Sequence, residues 1–290
     1  MASRPSRTGE QRTLRDLHRY APNISLLFTD RPLLERPAAV AEAGFDAVEL
    51  WWPFEGPEPH QRDSAALVRA IRDAGLQVVC LNFDSGDRPS GARGLLSRPP
   101  DVSRFQANVR ATVRLAGELG CPVLHAPFGN RLASIPWSAQ VDHAVEQLAD
   151  AARAAAQVGA TVVIEAQNPT DSPRYPLRTT AQSAEIASAA SDRAGVPVRI
   201  TYDAYHMLQT EGELLPTVRS NLAAIAHVQV AEVPGRGAPA GGGSPAAAVL
   251  RALADLDYEG AVGLEYHPSD PSSASFDWLT DPADGQPRPM

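Results

Sequence analysis

Short apolar runs alternate with longer amphipathic stretches along nearly the whole chain. The short runs lie at 24–28, 47–50, 78–83, 123–126, 161–165, 198–203, 227–230 and 261–265. Apolar, often β-branched runs bounded by turn residues predict strands buried on both faces. Between them, residues 33–43, 64–74, 101–119, 138–157, 181–194, 213–221 and 245–256 carry helical patterns. Ser64 is a candidate helix cap, Pro245 opens the last helix, and Gly44, Gly75, Gly120 and Gly159 close others.

Eight strands alternating with helices predict a parallel sheet. Eight such units in about 250 residues favour one (β/α)8 TIM barrel over an open doubly wound sheet. No GxGxxG follows the first strand, so the dinucleotide-binding alternative lacks its fingerprint. The expected organisation is a disordered or loosely docked arm over 1–20, the barrel over 21–280, and a disordered tail over 281–290. Glycines at 237, 241, 242 and 243 predict a mobile loop between the seventh strand and its helix.

Four of the strands close on an oxygen-bearing side chain: Glu165, Asp203, Gln229 and Glu265. A carboxylate at the end of a buried strand is not there for core packing. In a barrel these ends converge on one mouth. Three carboxylates in a desolvated cup repel unless a cation is bound. Oxygen-only donors suit Mg²⁺ or Mn²⁺ better than zinc. Taken singly, each carboxylate also has a bland reading as a cap or a surface group. Neighbours that fit the same cup are His206, Arg236, Asp171, Glu49 and His125. Trp51 and Trp52 are candidate pocket walls, and His227 is either a partner behind the ligands or a core histidine.

Composition narrows the function. A net charge of −8 argues against a binder of nucleic-acid backbones. No apolar run reaches the roughly 18 residues that span a bilayer, and the Arg-rich N-terminus lacks a signal-peptide core. The expectation is a cytoplasmic protein acting on a small molecule, with no nucleic-acid or membrane partner and room for a homo-oligomer. All 26 basic residues are arginine. Without lysine, Schiff-base aldolase and pyridoxal-phosphate chemistry are excluded. Cys80 and Cys121 show no metal or redox spacing and read as buried, inert thiols.

Several motifs together carry a family likeness: NISLLFT, AEAGFDAVEL and the Asn82–Gly94 stretch, then IEAQNPTD, DAYHMLQTEGEL, HVQVAEVPGR and GLEYHP. Over about residues 21–278 the chain resembles hydroxypyruvate isomerase and the 2-oxo-tetronate isomerases of the xylose-isomerase-like barrel superfamily. The resemblance implies a divalent metal held by Glu165, Asp203, Gln229 and Glu265. It also implies Glu165 and Glu265 as an acid/base pair moving a proton through a cis-enediolate, with His206 and Arg236 touching substrate. A sugar epimerase of the same superfamily and a silent ligand-binding barrel are the alternative readings. The endonuclease branch needs additional histidine ligands and a basic groove. The chain departs from the family after the seventh strand, where GRHEPGTGEINY is usual and residues 235–246 read GRGAPAGGGSPA. Gly237, Ala238 and Gly243 replace polar residues, and Thr170 stands where arginine is usual. These losses lead to the expectation that hydroxypyruvate is a poor substrate and that a larger or less charged one fits.

Overall fold

The computed structural model describes residues 12–268 and 275–284. Eight parallel strands form the barrel: β1 (Tyr20–Pro22), β2 (Ala47–Leu50), β3 (Gln77–Asn82), β4 (Val123–His125), β5 (Thr161–Glu165), β6 (Val198–Asp203), β7 (Ile225–Val230) and β8 (Val262–Leu264). From β2 to β8 each strand pairs with the next in sequence, and β1 pairs with β8. A bridge between Asn23 and Glu49, with Ile24 N donating to Glu49 O at 3.0 Å, closes the ring between β1 and β2.

The helices are α1 (Arg36–Glu42), α2 (Gln61–Asp73), α3 (Val102–Leu119), α4 (Trp137–Ala156), α5 (Thr180–Ala194), α6 (Ala204–Thr210), α7 (Leu214–Asn221) and α8 (Pro245–Asp255). Their ends follow local chemistry. Thr179 and Gln182 form a capping box on α5, and Ser244 accepts from Ala247 N to start α8. Gly120 and Gly195 end α3 and α5 in the left-handed conformation. The main core lies between helices and sheet. Inside the ring, Val123 and Val163 pack with Cys80. They stand two residues before His125 and Glu165, so the period of two puts small apolar residues beneath a polar upper layer. Both thiols are buried and burial pushes them up, Cys121 to about 12, which keeps them inert.

Two expectations are corrected. The first strand is Tyr20–Pro22, not 24–28, because Asn23 breaks the extension. Its side chain accepts from Ser25 N at 3.0 Å and its carbonyl from Leu26 and Leu27, so Ile24, Leu27 and Phe28 are buried in a turn. Residues 12–20 are not a loose arm. Leu14 is fully buried, its carbonyl accepts from Tyr20 Oη at 2.6 Å, and its N–H donates to Asp281 O at 2.9 Å. Ala283 N donates in turn to Arg12 O, so the start of the tail pairs with the arm. Residues 1–11 and 285–290, expected to be disordered, lie outside the described residues.

The loop after β3 is seated by a close approach to the segment after β4. Gly94 has φ 128°, and a Cβ there would lie 2.0 Å from Pro127 O. Replacing Gly94 with Ala combines a steric clash with an unfavourable φ, each worth about 1–3 kcal/mol. Gly94→Ala is expected to lower the urea unfolding free energy by about 2–5 kcal/mol; a change within ~0.5 kcal/mol would show that the contact is not held in solution.

Candidate active site

The strand ends assemble the expected cup. Glu165 ends β5, Asp203 ends β6, Gln229 is the penultimate residue of β7, and Glu265 follows β8. The register sets Asp203 beside Gln229 and Gln229 beside Gly263. None of the four is more than 5% exposed. Asp203 also caps α6 through Tyr205 N at 2.8 Å.

Arg236 enters from the loop after β7. Its Nη2 donates to Asp203 Oδ2 at 2.7 Å and Glu265 Oε2 at 2.5 Å, and its Nε donates to Glu265 O at 2.9 Å. Its backbone is left-handed at φ 56°, uncommon without glycine. His267 N holds it there by donating to Arg236 O. His206 Nε2 lies 3.0 Å from Arg236 Nη1, 3.6 Å from Asp203 Oδ2 and 3.8 Å from Glu165 Oε1. His125 Nε2 lies 3.6 Å from Glu165 Oε2.

A cleft of about 370 Å³ opens above, bordered by Glu165, Glu265, His206, Arg236, Asp171 and His125 among others. Asp203 and Gln229 lie outside its lining, as does Glu49, whose carboxylate instead faces the barrel interior. Trp51 walls the cleft and donates Nε1–H to Glu265 Oε1 at 2.6 Å, whereas Trp52 packs on Phe54. Two further arginines border the cleft that the strand-end pattern did not reveal: Arg88 and Arg93, from the loop after β3. Arg88 stacks 3.9 Å over Trp51 and has no carboxylate within ion-pair distance among the described residues. Side chains on a loop obey no period, so only the presence of two arginines just past a strand end could have flagged them.

Gly237, Ala238 and Gly243 do not line the cleft. The loop turns away through paired bonds between Glu232 and Gly237, and Asp281 Oδ2 accepts from Gly242 N at 2.9 Å. The expected glycine-lined enlargement of the pocket is therefore absent.

Burial dominates the electrostatics. It raises Glu165 well above the ordinary carboxyl value, assisted by Asp203 and Glu265. Burial likewise raises Asp203, against the pull of Arg236, and raises Glu265 to about 7. Burial opposes the charge of Arg236, but Glu265, Asp203 and Glu165 outweigh it and keep the guanidinium charged. Burial with neighbouring cations lowers His206 well below the usual imidazole range and His125 to about 3, so both are neutral. Arg88 falls to about 10 through burial and the nearby Arg93.

The donor set fits a divalent ion. Glu165 Oε1 and Gln229 Oε1 are buried with no hydrogen-bond partner among the described residues. Glu165, Asp203 and His206 offer ligand atoms within 4.8 Å of one another. Unpartnered buried oxygens beside carboxylates match what a hard cation takes.

A barrel with an acidic cup at its C-terminal mouth defines a class, and comparison gives the family. Residues 37–281 match the xylose isomerase-like TIM barrel family, and the chain belongs to it. It is 46% identical to a putative hydroxypyruvate isomerase of Streptomyces coelicolor, over 90% of this chain and 95% of that protein. It is 33% identical to a 2-oxo-tetronate isomerase of Cupriavidus necator, over 90% and 97%. These relatives make it an isomerase. Among solved structures, one described as an AP endonuclease, family 2, from Brucella melitensis superposes with a TM-score of 0.81 at 29% identity, covering 90% of this chain and 97% of that one. No helix among the described residues is long and apolar enough to cross a membrane.

The raised carboxyls give a signed pH prediction. Glu265 titrates near 7 in the fold against an ordinary 4.5. A group raised by folding contributes its stability fully below the ordinary value and loses it as pH rises through the folded one. Chelator-treated protein is expected to lose stability between about pH 5 and pH 8, and Glu265→Gln to lose less over that window. Equal slopes for the two proteins in thermal melts would rule the Glu265 shift out.

Proposed function

We propose that this isomerase is metal-dependent and interconverts a small hydroxy-keto-acid with its isomer, moving a proton between adjacent carbons through a cis-enediolate. The observation that carries the reading is the pair of buried, upshifted carboxyls, Glu165 and Glu265, bordering one cleft. Glu165, Asp203, Gln229 and Glu265 would hold the ion, Mg²⁺ or Mn²⁺, which when bound supplies charge stabilisation for the enediolate.

The chain's own groups do the rest. A carboxyl whose pKa sits near the working pH can take a proton and give it back. Gln167 Nε2 donates to Glu165 Oε2 at 3.1 Å, which leaves Oε1 free for proton transfer or the ion. Trp51 fixes Glu265 from the other wall. Neutral His206 can hydrogen-bond a substrate hydroxyl without adding charge to the cup. Arg88 and Arg93 supply cations for a carboxylate at the mouth. The relatives named for hydroxypyruvate and 2-oxo-tetronate support an acid substrate. A substrate with no charge leaves those guanidinium groups unused, so keto-acids are favoured over neutral sugars. The departures at 237, 238 and 243 lie off the cleft wall and no longer argue against hydroxypyruvate.

The test is metal-dependent exchange of the substrate's carbon-bound hydrogen in D₂O, run with hydroxypyruvate, a four-carbon keto-acid and neutral ketoses. Glu165→Gln and Glu265→Gln are each expected to lower kcat by roughly 10²–10⁴-fold. Exchange without turnover would point to a different product, as in an epimerase; no exchange with any substrate would leave a binding barrel.

Arg88 has its own expected signature. Arg88→Met should raise KM for the keto-acid about ten- to a hundredfold, the worth of one charge-assisted contact, with a smaller change in kcat. An unchanged KM would remove Arg88 from substrate recognition.

A further inference from the structure

A glutamine can serve a cation only through its carbonyl oxygen; its amide NH₂ offers no lone pair. Which end faces the site is set by whatever the other end touches. We propose that Glu49 is the positioning residue that sets this for Gln229, turning Oε1 toward the cation site. The inference rests on the cation-binding reading above.

Glu49 was expected to touch substrate, but it is 1% exposed and borders no part of the cleft. It lies inside the barrel from β2, where three donors converge on it. Gln229 Nε2 donates to Oε1 at 2.8 Å and Asn23 Nδ2 to the same oxygen at 2.9 Å, while His227 Nε2 lies 2.5 Å from Oε2. A carboxylate only accepts, so it selects the NH₂ end of Gln229. The opposite end, Oε1, is buried without a partner among the described residues. A flipped amide would set two acceptors against each other and point N–H bonds at the cation.

The barrel is also shaped to admit Glu49. A Cβ on Gly263 would lie 2.3 Å from Glu49 Oε2. Gly263 shows no left-handed φ, so glycine serves here for space rather than for backbone freedom. It is the register partner of Gln229, which puts the vacated volume beside the residue that Glu49 orients. Asn23 joins the arrangement to the proposed ligands, since its Nδ2 also lies 3.3 Å from Glu265 Oε1.

The probe is Mn²⁺ alone, titrated calorimetrically into chelator-treated full-length protein. Glu49→Gln introduces a donor and releases the Gln229 amide; Mn²⁺ affinity should fall about 10–100-fold, the usual range for partners that orient a ligand. Gln229→Met removes the ligand, and Glu49→Gln added to it should cause little further loss, because Glu49 acts through Gln229. A merely structural role would give the same loss in both backgrounds. Glu49→Gln with Gln229→Glu swaps donor and acceptor, keeps the net charge, and should bind Mn²⁺ within about threefold of wild type, which also serves if the single variant fails to fold. Glu49→Gln binding Mn²⁺ as wild type does, additive losses, or a swap that fails to restore affinity would each overturn the assignment. If wild type itself takes no Mn²⁺, the cation reading falls and this inference with it; if wild type binds and the variants match it, only the role of Glu49 falls.

Discussion

Three carboxylates within one desolvated cup are the constraint around which the structure is arranged. Burial and mutual repulsion push all three toward protonation. The fold answers with one fully charged guanidinium. Arg236 donates to Asp203 and Glu265 but forms no ion pair with Glu165. That asymmetry leaves Glu165 buried with one oxygen, Oε1, that no described residue satisfies.

The layers of the barrel divide the labour. The floor is apolar and small, with Cys80, Val123 and Val163 packed together. Above it sits a ring of polar groups satisfied by one another, with Glu49 at its centre. The cup comes next, where Glu165 and Gln229 each present an oxygen that the protein does not satisfy. The mouth carries the arginines. Glu49, Asn23 and His227 satisfy one another below the cup, whereas Glu165 and Gln229 within it each keep an unpaired oxygen, as expected where the missing partner is a ligand.

Strand ends made the centre of the site legible from sequence. Each strand fixes where its last residue goes, so Glu165, Asp203, Gln229 and Glu265 could be placed without coordinates. Loop residues are placed by tertiary contacts instead. Arg88 was invisible because its position depends on stacking against Trp51, which comes from another strand. Gly237 and Gly243 were misplaced for the same reason: anchorage on Asp281, nearly forty residues away, turns that loop off the cleft. Glu49 was correctly assigned to a strand near the site, but its depth depends on room made by Gly263 on a distant strand. The first strand was misplaced because a single Asn side chain outcompeted a convincing apolar run.

The seating of the loop after β3 has a consequence for how such an enzyme changes over time. Gly94 bonds back to Ser85 O, Ser97 N to Phe128 O, and Asn130 Nδ2 to Gly91 O. The base of the loop is thus clamped by backbone contacts, while Pro89 and Ser90 beside Arg88 are exposed. Neither Pro89 nor Ser90 borders the cleft that Glu165 and Glu265 share. A base held by main-chain groups leaves the side chains of the tip free to differ. A substitution at Pro89 or Ser90 thus alters the rim beside Arg88 without touching the strands that position Glu165 and Glu265.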